Sequence, residues 1–288
     1  MSPPVHVIGA SGRSGAALCR ALKLAGRDFG PVVRDAARWS ATGMQQVPRV
    51  ADIADARALT IALANATRIV CTAHARHAVA VLAAAPPGAQ FVFLGSTRKF
   101  TRWPDAHANG VLTGEAAFLA AGTPGVMLHP TMIYGAQGED NVRRLAALMR
   151  RLPVVPLPAG GTALVQPIHQ SDLTRAILAC LATDWAAPES MVVAGPVAVT
   201  YADFVRAVAA ADGQSPPRIL PVPASLLMAA SVLTLLPGLP RIRAVEIRRL
   251  LEHKAFDIAP MRARLALEPI PLAEGLRMTF AKQEAVLF

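Results

Sequence analysis

Apolar and polar positions alternate in short blocks through the first half of the chain. Residues 5–10 form a short, mostly apolar run that predicts a buried strand, closed by the turn Gly9-Ala10-Ser11-Gly12-Arg13-Ser14-Gly15. Over 16–24, Leu18, Ala21, Leu22 and the following Ala25 fall on one helical face. The same reading predicts strands at 31–34, 45–50, 68–72, 90–95 and 125–128, and helices at 57–64, 77–85 and 112–121. Short apolar strands alternating with helices predict an α/β chain, a doubly wound parallel sheet covered on both faces.

Beyond about residue 135 the rhythm changes. A basic helix is expected at 141–151 and a proline- and glycine-rich loop at 153–161. A helix follows at 172–181, capped by Ser171 or Asp172, and another at 201–211, opening after Thr200. Residues 191–193 read as a segment returning to the sheet. The proline-interrupted stretch from 216 predicts a smaller lobe over the sheet's carboxyl edge. The expected division is residues 1–181 as the sheet domain and 182–288 mainly as that lobe.

Composition raises two further classes. Of 288 residues 53% are hydrophobic, so a membrane span has to be considered. Pro221, Pro223, Pro237 and Pro240 punctuate the longest uncharged stretch and leave residues 224–236, about 20 Å of helix against about 30 Å of hydrocarbon. A buried helix is expected there, with interfacial membrane contact beside Arg241, Arg243, Arg248 and Arg249 as the alternative. Lys+Arg 29 against Asp+Glu 19 gives a charge of +10. The arginines are scattered and few aromatics lie among them, which excludes a nucleic-acid surface but suits a phosphate-bearing small ligand. Cys19, Cys71 and Cys180 are far apart and set in apolar sequence, as packed, reduced thiols are. Met1-Ser2-Pro3-Pro4 runs into Val5 without a basic flank and apolar signal core, so a cytoplasmic chain is expected.

The glycine turn follows a strand and opens a helix, the context in which such a trio binds a dinucleotide. Gly9 permits the tight turn, Gly12 lets backbone approach a pyrophosphate, and Gly15 allows helix to pack on strand. Ser11, Arg13 and Ser14 stand at the helix N-terminus, where free N–H groups meet phosphate. Arg34 lies nineteen residues beyond Gly15, where an NAD-binding chain would carry a carboxylate for the ribose. Arg34 with Arg13 suits a 2′-phosphate and favours NADP(H) over NAD(H); adjacent Asp35 keeps NAD open.

With these residues in place the chain resembles the short-chain dehydrogenase/reductase superfamily, in its extended and atypical branches, which include sugar-nucleotide epimerases and dehydratases. The matching stretches are residues 9–15, Ala51-Asp52-Ile53, Phe93-Leu94-Gly95-Ser96-Thr97, His129-Pro130-Thr131-Met132-Ile133-Tyr134-Gly135 and Gln166-Pro167-Ile168-His169-Gln170-Ser171-Asp172. Lys254-Ala255-Phe256-Asp257 and residues 269–276 resemble the tail of epimerase-like members. The resemblance implies a Rossmann sheet with a C-terminal substrate lobe. It implies that Asp52 and Ile53 flank the adenine and that Thr72 and Ala73 line the nucleotide's far side. Ser96 and Thr97 should sit near the nicotinamide, with Pro130 and Thr131 against its carboxamide. Asn141 and Gln166 occupy positions that touch substrate in relatives. His129 stands where epimerases often carry Arg before Pro-Thr, and is expected to mark an altered substrate contact.

One feature of the resembling family is missing. Its proton relay is a Tyr with a Lys four residues later, and here that frame reads His107 and Val111, with Glu115 beyond. Residues four after the two tyrosines, Tyr134 and Tyr201, are Gly138 and Val205. His107 can replace the phenol, Ser96 can act with Lys99, or Tyr134 can reach in from the opposite loop. Otherwise His107 is a surface loop residue, Lys99 a solvated charge and Tyr134 a packing residue. His74 and His77 have no third partner at metal-ligand spacing, so no metal site is expected. Three functions follow as expectations: an NAD(P)-dependent oxidoreductase or epimerase-like enzyme of a small, possibly nucleotide-linked substrate, a non-catalytic NADP-binding sensor or scaffold, and a peripheral membrane reductase of a lipid-like substrate.

Overall fold

A computed structural model describes residues 4–135, 141–152, 154–231 and 244–281. The chain opens with β1 (Val5–Ile8), α1 (Arg13–Leu24), β2 (Phe29–Val33), α2 (Ala36–Ser40), β3 (Arg49–Val50) and α3 (Ala56–Leu63). It continues with β4 (Arg68–Cys71), α4 (Ala78–Ala84), β5 (Gln90–Leu94), α5 (Ala106–Ala120) and β6 (Gly125–Pro130). Then come β7 (Ile133–Tyr134), α6 (Asn141–Arg151), β8 (Val154–Pro158), β9 (Leu164–Val165), β10 (Ile168–His169) and α7 (Gln170–Ala182). β11 (Pro188–Val193), β12 (Val199–Thr200), α8 (Tyr201–Ala211), β13 (Arg218–Val222), α9 (Ala224–Ala230), α10 (Ala244–Arg249), α11 (Ala259–Leu265) and α12 (Leu272–Phe280) complete it.

Seven strands form one parallel sheet in the order β11-β6-β5-β4-β1-β2-β3. Strand order reverses between β1 and β4, the point where a doubly wound sheet opens a crevice at its carboxyl edge. The expected α/β Rossmann class is what the chain adopts. β11 is the returning segment, paired with β6 from Pro188↔Gly125 to Val193↔Pro130.

The sheet is buried on both faces because its strands are apolar on both. One face packs Val5, Val7 and Val33 with Leu18 and Leu22 of α1 and Leu173 and Ile177 of α7. The other packs Ile8, Ile69, Phe91 and Phe93 with Leu59 of α3 and Phe118 of α5. Each such leucine contributes about 1.5–3 kcal/mol by leaving water. A third apolar cluster joins β8, α6, α8 and α12 through Leu157, Met149, Val205 and Leu276.

Several elements differ from the pattern-based expectation. α5 starts at Ala106 rather than 112, because Asp105 caps it by accepting from His107 N and Ala108 N. The glycines in α5 reflect crowding: a Cβ on Gly114 would lie 1.9 Å from the Ala75 carbonyl oxygen. α7 is capped by the His169 side chain, which accepts from Ser171 N. Ser171 and Asp172 lie inside the helix, and Asp172 accepts from Arg175 and from Ile270 N, pinning the chain just before α12. The expected loop at 153–161 contains β8, which pairs in parallel with β13. The described part of the expected buried helix at 224–236 is α9, and none of its residues is buried; Leu226 is 59% exposed. Residues 232–236, with Arg241 and Arg243, lie outside the described residues, as do Met1-Ser2-Pro3 and Gly138. No helix among the described residues is long and apolar enough to cross a membrane.

Candidate functional site

Two clefts among the described residues lie at the carboxyl edge of the sheet. The first lies over the strand-order reversal and has a volume of about 300 Å³. Gly9 leaves β1 with φ of +78°, and a Cβ there would lie 2.8 Å from Thr72 Oγ1. Thr72 Oγ1 is shared between the carbonyls of Ile8 at 3.0 Å and Gly9 at 3.2 Å, which ties β4 to the turn. Gly12 caps α1 without offering a side chain, and the first turn of α1 holds no acidic residue. A Cβ on Gly15 would lie 2.2 Å from the Gly9 carbonyl oxygen, so only glycine lets the helix sit this close. The result is a helix N-terminus with its amides open to a phosphate.

Gly9, Ser11, Gly12, Thr72 and Ala73 line this cleft, joined from the β2–β3 side by Arg34, Asp52 and Ile53. Arg13, Ser14 and Gly15, expected at the dinucleotide, are not part of that lining; Arg13 is exposed, and Ser14 Oγ donates to Gln170 Oε1 at 3.4 Å. Arg38 and His77 also line it, and pattern reading missed both. The available signal was the four-residue spacing of Arg34 and Arg38, hidden because α2 is only five residues long. Asp35 Oδ1 accepts from Ala37 N at 2.9 Å and Arg38 N at 3.3 Å, so this carboxylate is engaged at the start of α2.

The second cleft, about 500 Å³, lies at the ends of β5 and β6. Ser96, Thr97 and Thr131 line one side, and Arg249, Lys254 and Phe256 face them from the C-terminal segment. Thr97 Oγ1 donates to the carbonyl of buried Pro130 at 3.2 Å, and Thr131 Oγ1 donates to that of Gln166 at 2.5 Å.

Behind Ser96 sits a buried polar cluster. His129 Nδ1 accepts the Ser96 N–H at 3.1 Å, which puts the ring proton on Nε2. That nitrogen lies 3.1 Å from Glu115 Oε1 and 3.1 Å from Ser190 Oγ. Lys99 Nζ donates to the same Glu115 oxygen at 2.5 Å, and Ser190 Oγ donates to it as well. Burial pushes His129 down to about 4, and the Lys99 ammonium adds to this. Burial alone would raise the Glu115 carboxyl, but hydrogen bonds from Lys99 and Ser190 outweigh it and hold it below the ordinary range.

No protein-family model and no curated protein matches the sequence. Solved structures match nearly all of it. A short-chain dehydrogenase/reductase superfamily protein from Agrobacterium tumefaciens with bound NAD superposes with a TM-score of 0.69 at 15% identity, covering 96% of this chain and 95% of that one. The likeness is one of fold, the α/β Rossmann sheet described above. The triphenylmethane reductase of Citrobacter sp. complexed with NADP(H) gives 0.77 at 16% identity, covering 96% and 99%. The UDP-glucuronic acid 4-epimerase of Bacillus cereus, in complex with UDP-glucuronic acid and NAD, gives 0.72 at 16%, covering 96% and 98%.

Against the Tyr-x-x-x-Lys frame of the short-chain dehydrogenase/reductase resemblance, the four acid/base candidates separate. His107 lies in the first turn of α5 rather than in a loop, its ring 4.2 Å from that of His74. Val111 is 1% exposed and belongs to the core. Lys99 is not a solvated charge, since its ammonium is turned onto Glu115. Tyr134 is fully buried, edge-on to His169, and its hydroxyl has no hydrogen-bond partner among the described residues. Ser96 alone lines the second cleft.

Three expected substrate contacts are spent elsewhere. His129 is fully buried in the cluster behind Ser96. Gln166 Nε2 donates to Gly195 O at 2.8 Å and its Oε1 accepts from Phe256 N at 2.7 Å, stapling the C-terminal segment over the cleft. Asn141 Nδ2 donates to Ile133 O at 2.7 Å, and its Oδ1 accepts from Val142 N at 2.9 Å at the start of α6.

Proposed function

We propose that this chain is an NADP(H)-dependent oxidoreductase acting on a small carbonyl compound in the cleft beside Ser96. The observation that carries this reading is the pair Arg34 and Arg38. Both line the nucleotide cleft, and neither forms an ion pair with a carboxylate among the described residues. Asp35, which would otherwise repel a 2′-phosphate, has its carboxylate drawn into the α2 cap. Two guanidiniums beside a cap-engaged carboxylate suit NADP(H) better than NAD(H).

The glycine turn fits the pyrophosphate, since the space at Gly9 and Gly15 leaves no room for a Cβ and the α1 amides are uncapped. When bound, the reduced dinucleotide supplies a hydride to the carbonyl carbon, and a proton from solvent completes the alcohol. Ser96 Oγ accepts from Arg98 N at 3.2 Å, leaving its hydroxyl hydrogen for a substrate oxygen. Ser96 is thus the polarising donor, while His129 and Glu115 hold the turn that carries it.

Fluorescence titration with NADPH and NADH, followed by NADPH oxidation in the presence of aldehydes, ketones and quinones, tests this. Tighter binding of NADPH and its consumption with at least one carbonyl compound are expected. Failure to bind either dinucleotide overturns the reading. Tight binding without turnover across the panel favours the sensor.

A further inference from the structure

The second cleft has a chemical bias that concerns its substrate, given the reading of it as the substrate site. Four cationic side chains line it, Arg98, Arg102, Arg249 and Lys254, against one carboxylate, Glu252. Glu252 Oε1 is occupied, accepting from Thr101 Oγ1 at 2.7 Å and Arg102 N at 2.6 Å. Arg98 and Arg249 converge from opposite segments on a single oxygen, Oδ2 of Asp105. The other oxygen of Asp105 caps α5. Two guanidiniums therefore share one counter-charge, and the Nε of each is buried with no partner among the described residues.

Lys254 adds a third cation. Its ammonium donates to the Arg249 carbonyl at 3.2 Å and makes no ion pair among the described residues. Burial pushes its pKa down against the opposing pull of the Glu252 carboxylate, and Arg249 and Arg98 push it down further. Concentrating positive charge at a half-buried site is unfavourable unless an anion completes it.

Besides hydroxyl residues and His253, the rest of the lining is aromatic and apolar. Phe100 and Phe256 lie 5.6 Å apart, with Trp103, Met132 and Leu251 around the same space. The hydroxyl protons of Thr97, Thr101 and Thr131 are already given to protein acceptors, so apart from Ser96 the donors this cleft offers are mainly cationic. We propose that the substrate is a flat, apolar-bodied carbonyl compound bearing a carboxylate or phosphate, its anionic group held by Arg98, Arg249 and Lys254 and its body against Phe100, Trp103 and Phe256. The anion sets the orientation of the carbonyl toward Ser96.

Calorimetric titration of the full chain with 4-carboxybenzaldehyde, 4-formylphenyl phosphate and the neutral methyl 4-formylbenzoate tests this, without dinucleotide and with the oxidised form NADP+, which cannot reduce them. At least one anionic ligand should bind tenfold or more tightly than the ester, and the arm that does so separates an acid from a phosphoester. Arg249→Gln and Lys254→Gln should each remove most of that preference and leave the ester unaffected, while Arg249→Lys should retain part of it. Circular dichroism identifies any variant that fails to fold, and the remaining one then decides. Equal affinity for ester and anions, a preference untouched in the folded variants, or no anionic binding at millimolar concentration overturns the proposal. An anion-selective cleft in a chain that binds neither dinucleotide would instead overturn the redox reading.

Discussion

Gly95 and His129 are fitted to one another: a Cβ on Gly95 would lie 2.4 Å from Nδ1 of His129, the atom that accepts the Ser96 N–H. Gly95 is not among the residues with positive φ, so the constraint is space alone. Gly95→Ala has to displace the ring and, with it, the turn carrying Ser96 and Thr97. A destabilisation of about 1–3 kcal/mol is expected from overpacking. Turnover should fall while dinucleotide affinity changes little, because the nucleotide cleft lies between β1 and β4. Urea unfolding and NADPH titration of the variant check both halves; an alanine variant as stable as the parent contradicts the fit.

The same cluster makes stability depend on acid. His129 is lowered from 6.5 to about 4, so the unfolded chain takes up its proton first as pH falls, and stability is lost between about 6.5 and 4. Glu115 is also depressed, so its contribution is present above the ordinary carboxylate range and is lost on falling below it. Both act in one direction. For a fully buried His129 the loss is on the order of 3 kcal/mol. His129→Gln keeps an acceptor for Ser96 N and should flatten the decline between pH 6.5 and 4, measured as unfolding free energy across the range. An unchanged slope would mean that the imidazole titrates freely.

The parts of the site that were legible in the sequence are those governed by local geometry. A strand that ends at a positive φ needs glycine, and a helix lying on that turn needs another, so residues 9–15 carried their own explanation. The cluster of Lys99, Glu115, His129 and Ser190 was not legible, because its members come from four segments and meet only after the sheet forms. The start of α5 was hidden for a related reason. Asn109 and Gly110 are weak helix formers, yet a Cβ on Gly110 would lie 2.9 Å from His74 Cε1, so the glycine answers to a neighbour in space. Gln166 was expected at substrate, but its role is set by Gly195 and Phe256, which only the fold brings near.

Arg34 and Arg38 are expected to discriminate between the two dinucleotides. Removing either guanidinium deletes a charge-assisted hydrogen bond to the 2′-phosphate, about 1.5–3 kcal/mol or roughly ten- to a hundredfold in affinity. Arg34→Ala and Arg38→Ala should weaken NADPH by that amount and leave NADH nearly unchanged, and the double variant should bind the two equally. Fluorescence titration of each variant with both dinucleotides reads this directly. Equal losses for NADH would mean that these arginines contact a part common to both molecules.

Tyr134 is the remaining phenol of interest, and the expectation for it runs opposite to a catalytic role. Its hydroxyl is buried without a partner, and a Cβ on Gly275 would lie 2.2 Å from it. Burial raises its pKa, and the negative charge of Asp172 raises it further, so the phenol stays protonated across the neutral range. An unpaired buried hydroxyl costs about 1–3 kcal/mol in desolvation, whereas the ring itself contributes packing to the third cluster. Tyr134→Phe deletes the first and keeps the second. It should be neutral or stabilising by about 1 kcal/mol, with kcat/KM unchanged within twofold. Tyr134→Ala should cost about 3–5 kcal/mol by leaving a cavity. Thermal unfolding and steady-state kinetics of the pair separate the two contributions, and a tenfold loss of kcat in a stable phenylalanine variant would return the hydroxyl to the reaction.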